Sequence, residues 1–97
     1  MIRHLVVFTF RPGTTAEQVD ELARRLRELP GLIPTIRRYE LGTDLRLRDG
    51  NADFAVVAEF DDVDGFLTYS EHPAHQAVIA ECIRPIVASR LAVQLAV

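Results

Sequence analysis

Three histidines carry most of the chemistry this sequence can offer. His72 and His75 bracket Pro73-Ala74, and His4 lies near the start of an alternating run. Imidazole changes charge close to neutral pH, so it can accept and return a proton there. Tyr69, shortly before His75, can add a phenolic hydrogen bond. Other chemistries lack their residues. All eleven basic residues are arginine, so no lysine is present to form a Schiff base. A single cysteine, Cys82, excludes an internal disulfide and a Cys-based zinc site, and fits a reducing cytoplasm. Ser70 and Ser89 lie outside any nucleophile-elbow context, and there is no glycine-rich phosphate loop. The histidines could ligate zinc, copper or iron, but no carboxylate is placed to complete the set. The expectation is a site with no metal and no cofactor.

These residues need elements to position them. Ile2, His4, Val6, Phe8 and Phe10 alternate with Arg3, Leu5, Val7, Thr9 and Arg11, which predicts a strand over residues 2–11 closed by Pro12-Gly13. Thr14 or Thr15 caps a helix, with Glu17 and Gln18 placed for a capping box. Its apolar stripe is Ala16, Val19, Leu22, Ala23, Leu26 and Leu29, and Pro30-Gly31 ends it. A second strand is read over Ile33–Leu41, followed by a polar stretch from Gly42 to Ala52 with a turn at Asp49-Gly50-Asn51. Phe54, Val56, Ala58 and Phe60 then alternate in a third strand. Asp61 or Asp62 caps a short helix bearing Val63, Phe66 and Leu67. Pro73 occupies a favoured first helical position, and Ala74, His75, Val78, Ile79, Cys82 and Ile83 form the next apolar stripe. Pro85 stops it, and Arg90–Val97 reads as a fourth strand.

The order strand, helix, strand, strand, broken helix, strand is the split βαβ plan: an α+β, ferredoxin-like βαββαβ fold with a four-stranded antiparallel sheet and helices on one face. Residues 1–97 are read as a single domain. A chain this short buries roughly two thirds of its unfolded surface. The first, third and fourth strands carry apolar side chains on both faces, although a sheet with one wet face alternates cleanly. The uncovered face therefore calls for a partner, and a second copy of the chain is expected there. Net charge is −3 with acids and arginines interspersed, so neither nucleic acid nor an anionic membrane is an expected partner. Apolar runs of about four residues are far below the ~20 of a membrane span. The first residues read as a strand, not a signal peptide, and a cytoplasmic location is expected.

Placed on these elements, His75 falls at about the third position of its helix on the inward stripe. Burial and the positive helix terminus should keep it neutral, as a general base requires. An inward histidine equally serves as a hydrogen-bonded core residue, and His72 as a cap or loop-packing residue. Cys82 continues an apolar stripe and reads as buried and inert.

Ile2-Arg3-His4-Leu5-Val6-Val7-Phe8, Ile33-Pro34 and above all Tyr69-Ser70-Glu71-His72-Pro73-Ala74-His75 resemble the stress-responsive α/β barrel (Dabb) domain family, over essentially the whole chain. The resemblance implies a dimeric α/β barrel, in which two four-stranded sheets meet, with a pocket between each sheet and its helices. Its clearest enzyme is a plant polyketide cyclase in which a tyrosine and a histidine close a linear polyketide without a cofactor. By resemblance Tyr69 and His75 match that pair and His4 matches a pocket histidine. Two polar pocket positions of that enzyme fall at Leu26 and Phe54 here, giving a more apolar lining. Residues and resemblance together give His75, Tyr69 and His4 as candidate catalytic residues, with Phe8, Leu26, Phe54, Phe60 and His72 around them. The ligand expected is a small apolar or aromatic molecule. One function is a cofactor-independent cyclase- or lyase-type enzyme on a polyketide-like or aromatic substrate. The alternative is a non-catalytic dimeric small-molecule-binding or stress-response protein.

Overall fold

The computed structural model describes all residues, Met1–Val97. Four antiparallel strands form one sheet in the order β2-β3-β1-β4: β1 Ile2–Phe10, β2 Arg38–Thr43, β3 Phe54–Phe60 and β4 Val87–Ala96. Helix α1 (Ala16–Leu32) follows β1, and α2 (Val63–Glu71) and α3 (Pro73–Val78) follow β3. A π-helical turn over Ile79–Ile83 carries α3 towards β4. This is the ferredoxin-like arrangement read from the sequence. No helix is long and apolar enough to cross a membrane.

Each boundary has a local cause. Thr15 caps α1 in a capping box with Gln18, each side chain meeting the other's backbone N–H. Pro30-Gly31 does not end this helix, contrary to the expectation from sequence. Proline removes one ladder bond and crowds the carbonyl four residues back, yet Ile33 N–H still reaches the Leu29 carbonyl at 2.8 Å. Leu29 and Ile33 are both fully buried and hold the last turn in place. Residues 33–36 consequently form a turn, and β2 begins later than expected and runs on through Gly42 and Thr43. Strand β4 begins at Val87, earlier than Arg90. Gly13 and Gly50 take left-handed φ values in their turns. Asp62 caps α2 by accepting from Gly65 N–H at 2.8 Å. Phe66 and Tyr69 of α2 face the sheet, whereas Val63 and Leu67 are exposed.

The sheet has two unlike faces. Val6 and Phe8 of β1 and Phe54, Val56, Ala58 and Phe60 of β3 pack under the helices with Leu22, Leu26 and Leu29 of α1. His4 belongs to this covered row and is only 5% exposed. The opposite face carries Leu5, Val7, Ala55 and Val57, flanked on β4 by Leu91, Val93 and Leu95, which are 72%, 51% and 44% exposed. At one end of that face Glu59 is held by Arg3 at 2.8 Å and Arg38 at 3.6 Å. Strand β4 is open on both sides, because its helix-side row of Arg90, Ala92, Gln94 and Ala96 is exposed too. The helix layer stops at β1, and the space beside α3 opens over β4.

Candidate functional site

The break between α2 and α3 creates the site. His72 does not continue α2; its extended backbone and the following Pro73 end one helix and start the next. Carbonyls of the last turn of α2 are thereby left without helical partners. Ser70 O is taken by two side chains of α3, His75 Nδ1 at 3.1 Å and Gln76 Nε2 at 2.7 Å. A carbonyl only accepts, so Nδ1 of His75 carries the proton and Nε2 of the neutral ring holds a lone pair. The same ring stacks on Tyr69, with centroids 4.2 Å apart and planes inclined by 30°.

His4 is set the opposite way. Gln94 Nε2 on β4 donates to His4 Nδ1 at 2.9 Å, which leaves the proton of the neutral ring on Nε2. No buried side-chain nitrogen or oxygen lacks a partner, so the unpartnered Nε2 atoms of both rings are reached by solvent. One histidine offers an acceptor and the other a donor. Both are neutral at pH 7. Burial lowers the pKa of His4 to about 4, with help from the Arg90 charge and, once it is protonated, from His75. Burial also lowers that of His75, against the opposing effect of its bond to Ser70 and with a further push from Arg90.

His4, Tyr69 and His75 line one cavity of about 180 Å³, together with Phe8 and Leu26. Val6, Val56, Phe66, Ile79 and Ile83 complete the apolar wall, and Ser70, Gln76 and Arg90 the polar part. The π-helical turn keeps His75, Ile79 and Ile83 on one side of their segment, facing this space. Three expected lining residues lie elsewhere. Phe54 and Phe60 are in the core beneath, fully buried, Phe60 against Phe66 and Tyr69. His72 turns away to cap α3, its Nδ1 accepting from Ala74 N–H at 3.0 Å. His, Cys, Asp and Glu side chains nowhere gather in a group of three able to hold a metal ion. Cys82 is buried, and desolvation pushes its thiol up.

Sequence reading missed Tyr39, Gln94 and Arg90. The phenols of Tyr39 and Tyr69 are 2.8 Å apart, and burial raises both pKa values. Alternation could have found all three. Tyr39 shares the inward row of β2 with Leu41, and Arg90 and Gln94 fall on the side of β4 opposite Leu91 and Val93.

Fold and cavity thus define a ferredoxin-like domain with a histidine-lined pocket between sheet and helices. The chain belongs to the stress-responsive A/B barrel domain family, whose model matches residues 2–97. A solved structure from Thermobifida fusca, described as a dimeric ferredoxin-like protein of unknown function, is 45% identical. It superposes with a TM-score of 0.92 over 99% of this chain and 90% of its own. An uncharacterized Streptomyces coelicolor protein, SCO4036, is 39% identical over 82 residues, 82% of this chain and 84% of its own length. Olivetolic acid cyclase from Cannabis sativa is 26% identical over 76 residues, covering 76% of this chain and 75% of the cyclase.

Proposed function

We propose that the chain works as a homodimer, each subunit using its cavity to bind a small, mainly apolar ligand and to remove an acidic proton next to a carbonyl group. In this reading His75 Nε2 is the general base, and His4 Nε2–H and the Tyr69 phenol stabilise the developing enolate oxygen. The observation that carries it is the pairing of opposite tautomers. Ser70 O holds the proton on Nδ1 of His75, and Gln94 holds it on Nε2 of His4. An enolising site needs that combination of one acceptor and one donor. The ensuing step is a ring closure or lyase-type cleavage without a cofactor, in keeping with the likeness to olivetolic acid cyclase.

Size narrows the substrate. A cavity of about 150 Å³ accepts a benzene ring, so the 180 Å³ here suits one ring with a short substituent better than a long linear chain. Dimerisation is supported by the exposed apolar residues of β4 and by the dimeric description of the Thermobifida structure. A test uses phenylacetone, whose benzylic CH₂ adjoins a carbonyl, as the probe in D₂O. Its deuteration, followed by proton NMR, should be accelerated by the protein, and His75→Gln should reduce the acceleration by about 100-fold or more. Deuteration no faster than with equimolar free imidazole would refute catalysis. That outcome would favour a binding protein, a reading supported by the mutual engagement of the Tyr39 and Tyr69 phenols.

A further inference from the structure

One wall residue has no role in proton transfer. Arg90 alone among the cavity residues carries a fixed charge, and no carboxylate lines the space. Arg3, Arg24, Arg25, Arg37, Arg38 and Arg46 pair with acids, whereas Arg11, Arg27, Arg48, Arg84 and Arg90 do not, and of these only Arg90 lines the cavity. Arg90 has no acid within 4.0 Å and makes no side-chain hydrogen bond within the chain, so its guanidinium has its full set of donors available. It lies on the helix-side row of β4, opposite Phe8 and one inward-facing position from Ala92, at the open end of the cavity. The remaining wall is apolar apart from the neutral polar groups of His4, Tyr69, Ser70, His75 and Gln76.

We propose that Arg90 makes this a site for carboxylic acids: it binds the carboxylate of a ligand whose ring or branched alkyl part fills the cavity. The proposal rests on the reading of the cavity as a ligand site and adds the substrate class, a compact acid with an acidic C–H next to a carbonyl. A guanidinium fork matches a carboxylate with two parallel hydrogen bonds. A neutral amide of equal shape can accept from the guanidinium but forms no ion pair, so the acid is preferred. A single arginine with no second cation fits a monoanion better than a phosphate dianion.

Binding has a second consequence. The Arg90 charge helps to hold His4 and His75 below the ordinary histidine range. A carboxylate on Arg90 cancels part of that field, so the bound acid makes the base that faces it more basic. A neutral ligand does not.

Phenylacetate and phenylacetamide are nearly the same shape and differ in charge, which makes them suitable probes. Calorimetric titration of the wild-type protein should give at least tenfold tighter binding of phenylacetate. Arg90→Gln should bring the acid down to the affinity of the amide, and Arg90→Lys should keep part of the preference. Phenylacetate should also move the NMR titration of the His75 ring upward, whereas phenylacetamide should not. Equal affinities in the wild type, or a preference that survives Arg90→Gln, overturn the assignment while leaving the cavity as a ligand site. Failure of both probes to bind overturns it together with the ligand-site reading. Tighter binding of inorganic phosphate than of phenylacetate refutes the carboxylate class and points to a phosphate site. If phenylacetate binds as expected but phenylacetone is not deuterated, the carboxylate site stands and the catalytic reading falls.

Discussion

Strand β1 separates two surfaces that differ in kind although they arise from adjacent residues. On one side His4, Val6 and Phe8 lie under helices; on the other Leu5 and Val7 face outward with Leu91 and Val93 beside them. The covered side keeps polar groups and satisfies each buried one: His4 through Gln94, the phenols of Tyr39 and Tyr69 through each other, the α2 carbonyl through His75. The open side gathers its charge at one end, in Arg3, Glu59, Arg38 and Glu40, with Thr9 and Ser89 at the other. A surface meant to recognise a small molecule needs a few oriented donors and acceptors. A surface meant to meet a copy of itself needs area and shape. In the proposed reading one sheet serves both, because alternation along each strand separates its two faces residue by residue.

The largest expected effect comes from charging the open side. Val93→Asp places two carboxylates, one per subunit, in what should be an apolar interface. Each apolar side chain buried there contributes about 1.5–3 kcal/mol. Sedimentation velocity at micromolar concentration should show dimers for the wild type and monomers for the variant. A monomeric wild type would remove the distinction between the two surfaces.

A smaller effect belongs to the covered side and appears as acid sensitivity. The pKa of His4 falls from 6.5 to about 4 on folding. Between those values the unfolded chain binds more protons than the folded one, so stability rises with pH and is lost as pH falls from 6.5 towards 4. The loss should be on the order of 2 kcal/mol, below the full linkage value because Nε2 retains solvent access. His75 shifts in the same direction. Denaturant unfolding at pH 4.5 and 7 should show the loss in the wild type and a shallower dependence in His4→Phe. An equal slope in the two would mean that His4 is not held neutral by the fold.

The smallest effect tests the phenol pair. Tyr39→Phe removes one hydroxyl and leaves that of Tyr69 unpartnered, which should cost about 1–2 kcal/mol in urea unfolding. Ligand affinity should change little, because Tyr39 lies outside the cavity lining. Loss of binding with unchanged stability would assign Tyr39 to the site.

Much of this division was legible in the chain. Alternation put His4 in one row with Val6 and Phe8 and gave β1, β3 and β4 apolar residues on both faces, and the His72-Pro73 break placed His75 in the first turn of a helix. The sequence could not show where Pro30 loses its usual effect, because that depends on Leu29 and Ile33 being buried together. It also could not separate Phe54 and Phe60 from the cavity. Both share a row with Val56, and only the placement of α2 and α3 decides which parts of that row remain uncovered. The proline after His72 marks it as a cap, and helical spacing puts His75 on the inward stripe. Their roles diverge because one caps α3 through Nδ1 and the other uses Nδ1 to reach back to α2. Tyr39 and Arg90 carry no motif; alternation can put them on the inward rows of β2 and β4, but only the packing around Tyr69 and the cavity gives them a role.

The bond from His75 to Ser70 O joins two helices, since the ring stands on α3 and the carbonyl on α2. The location of the imidazole proton is therefore tied to the angle between two rods. If α3 swings away from α2, Nδ1 loses its acceptor and the proton becomes free to sit on either nitrogen. The ¹⁵N shifts of this one ring would then act as a protractor for the joint. A ligand that closes the cavity should be seen first as a sharper preference for one tautomer, before any change of fold is detectable.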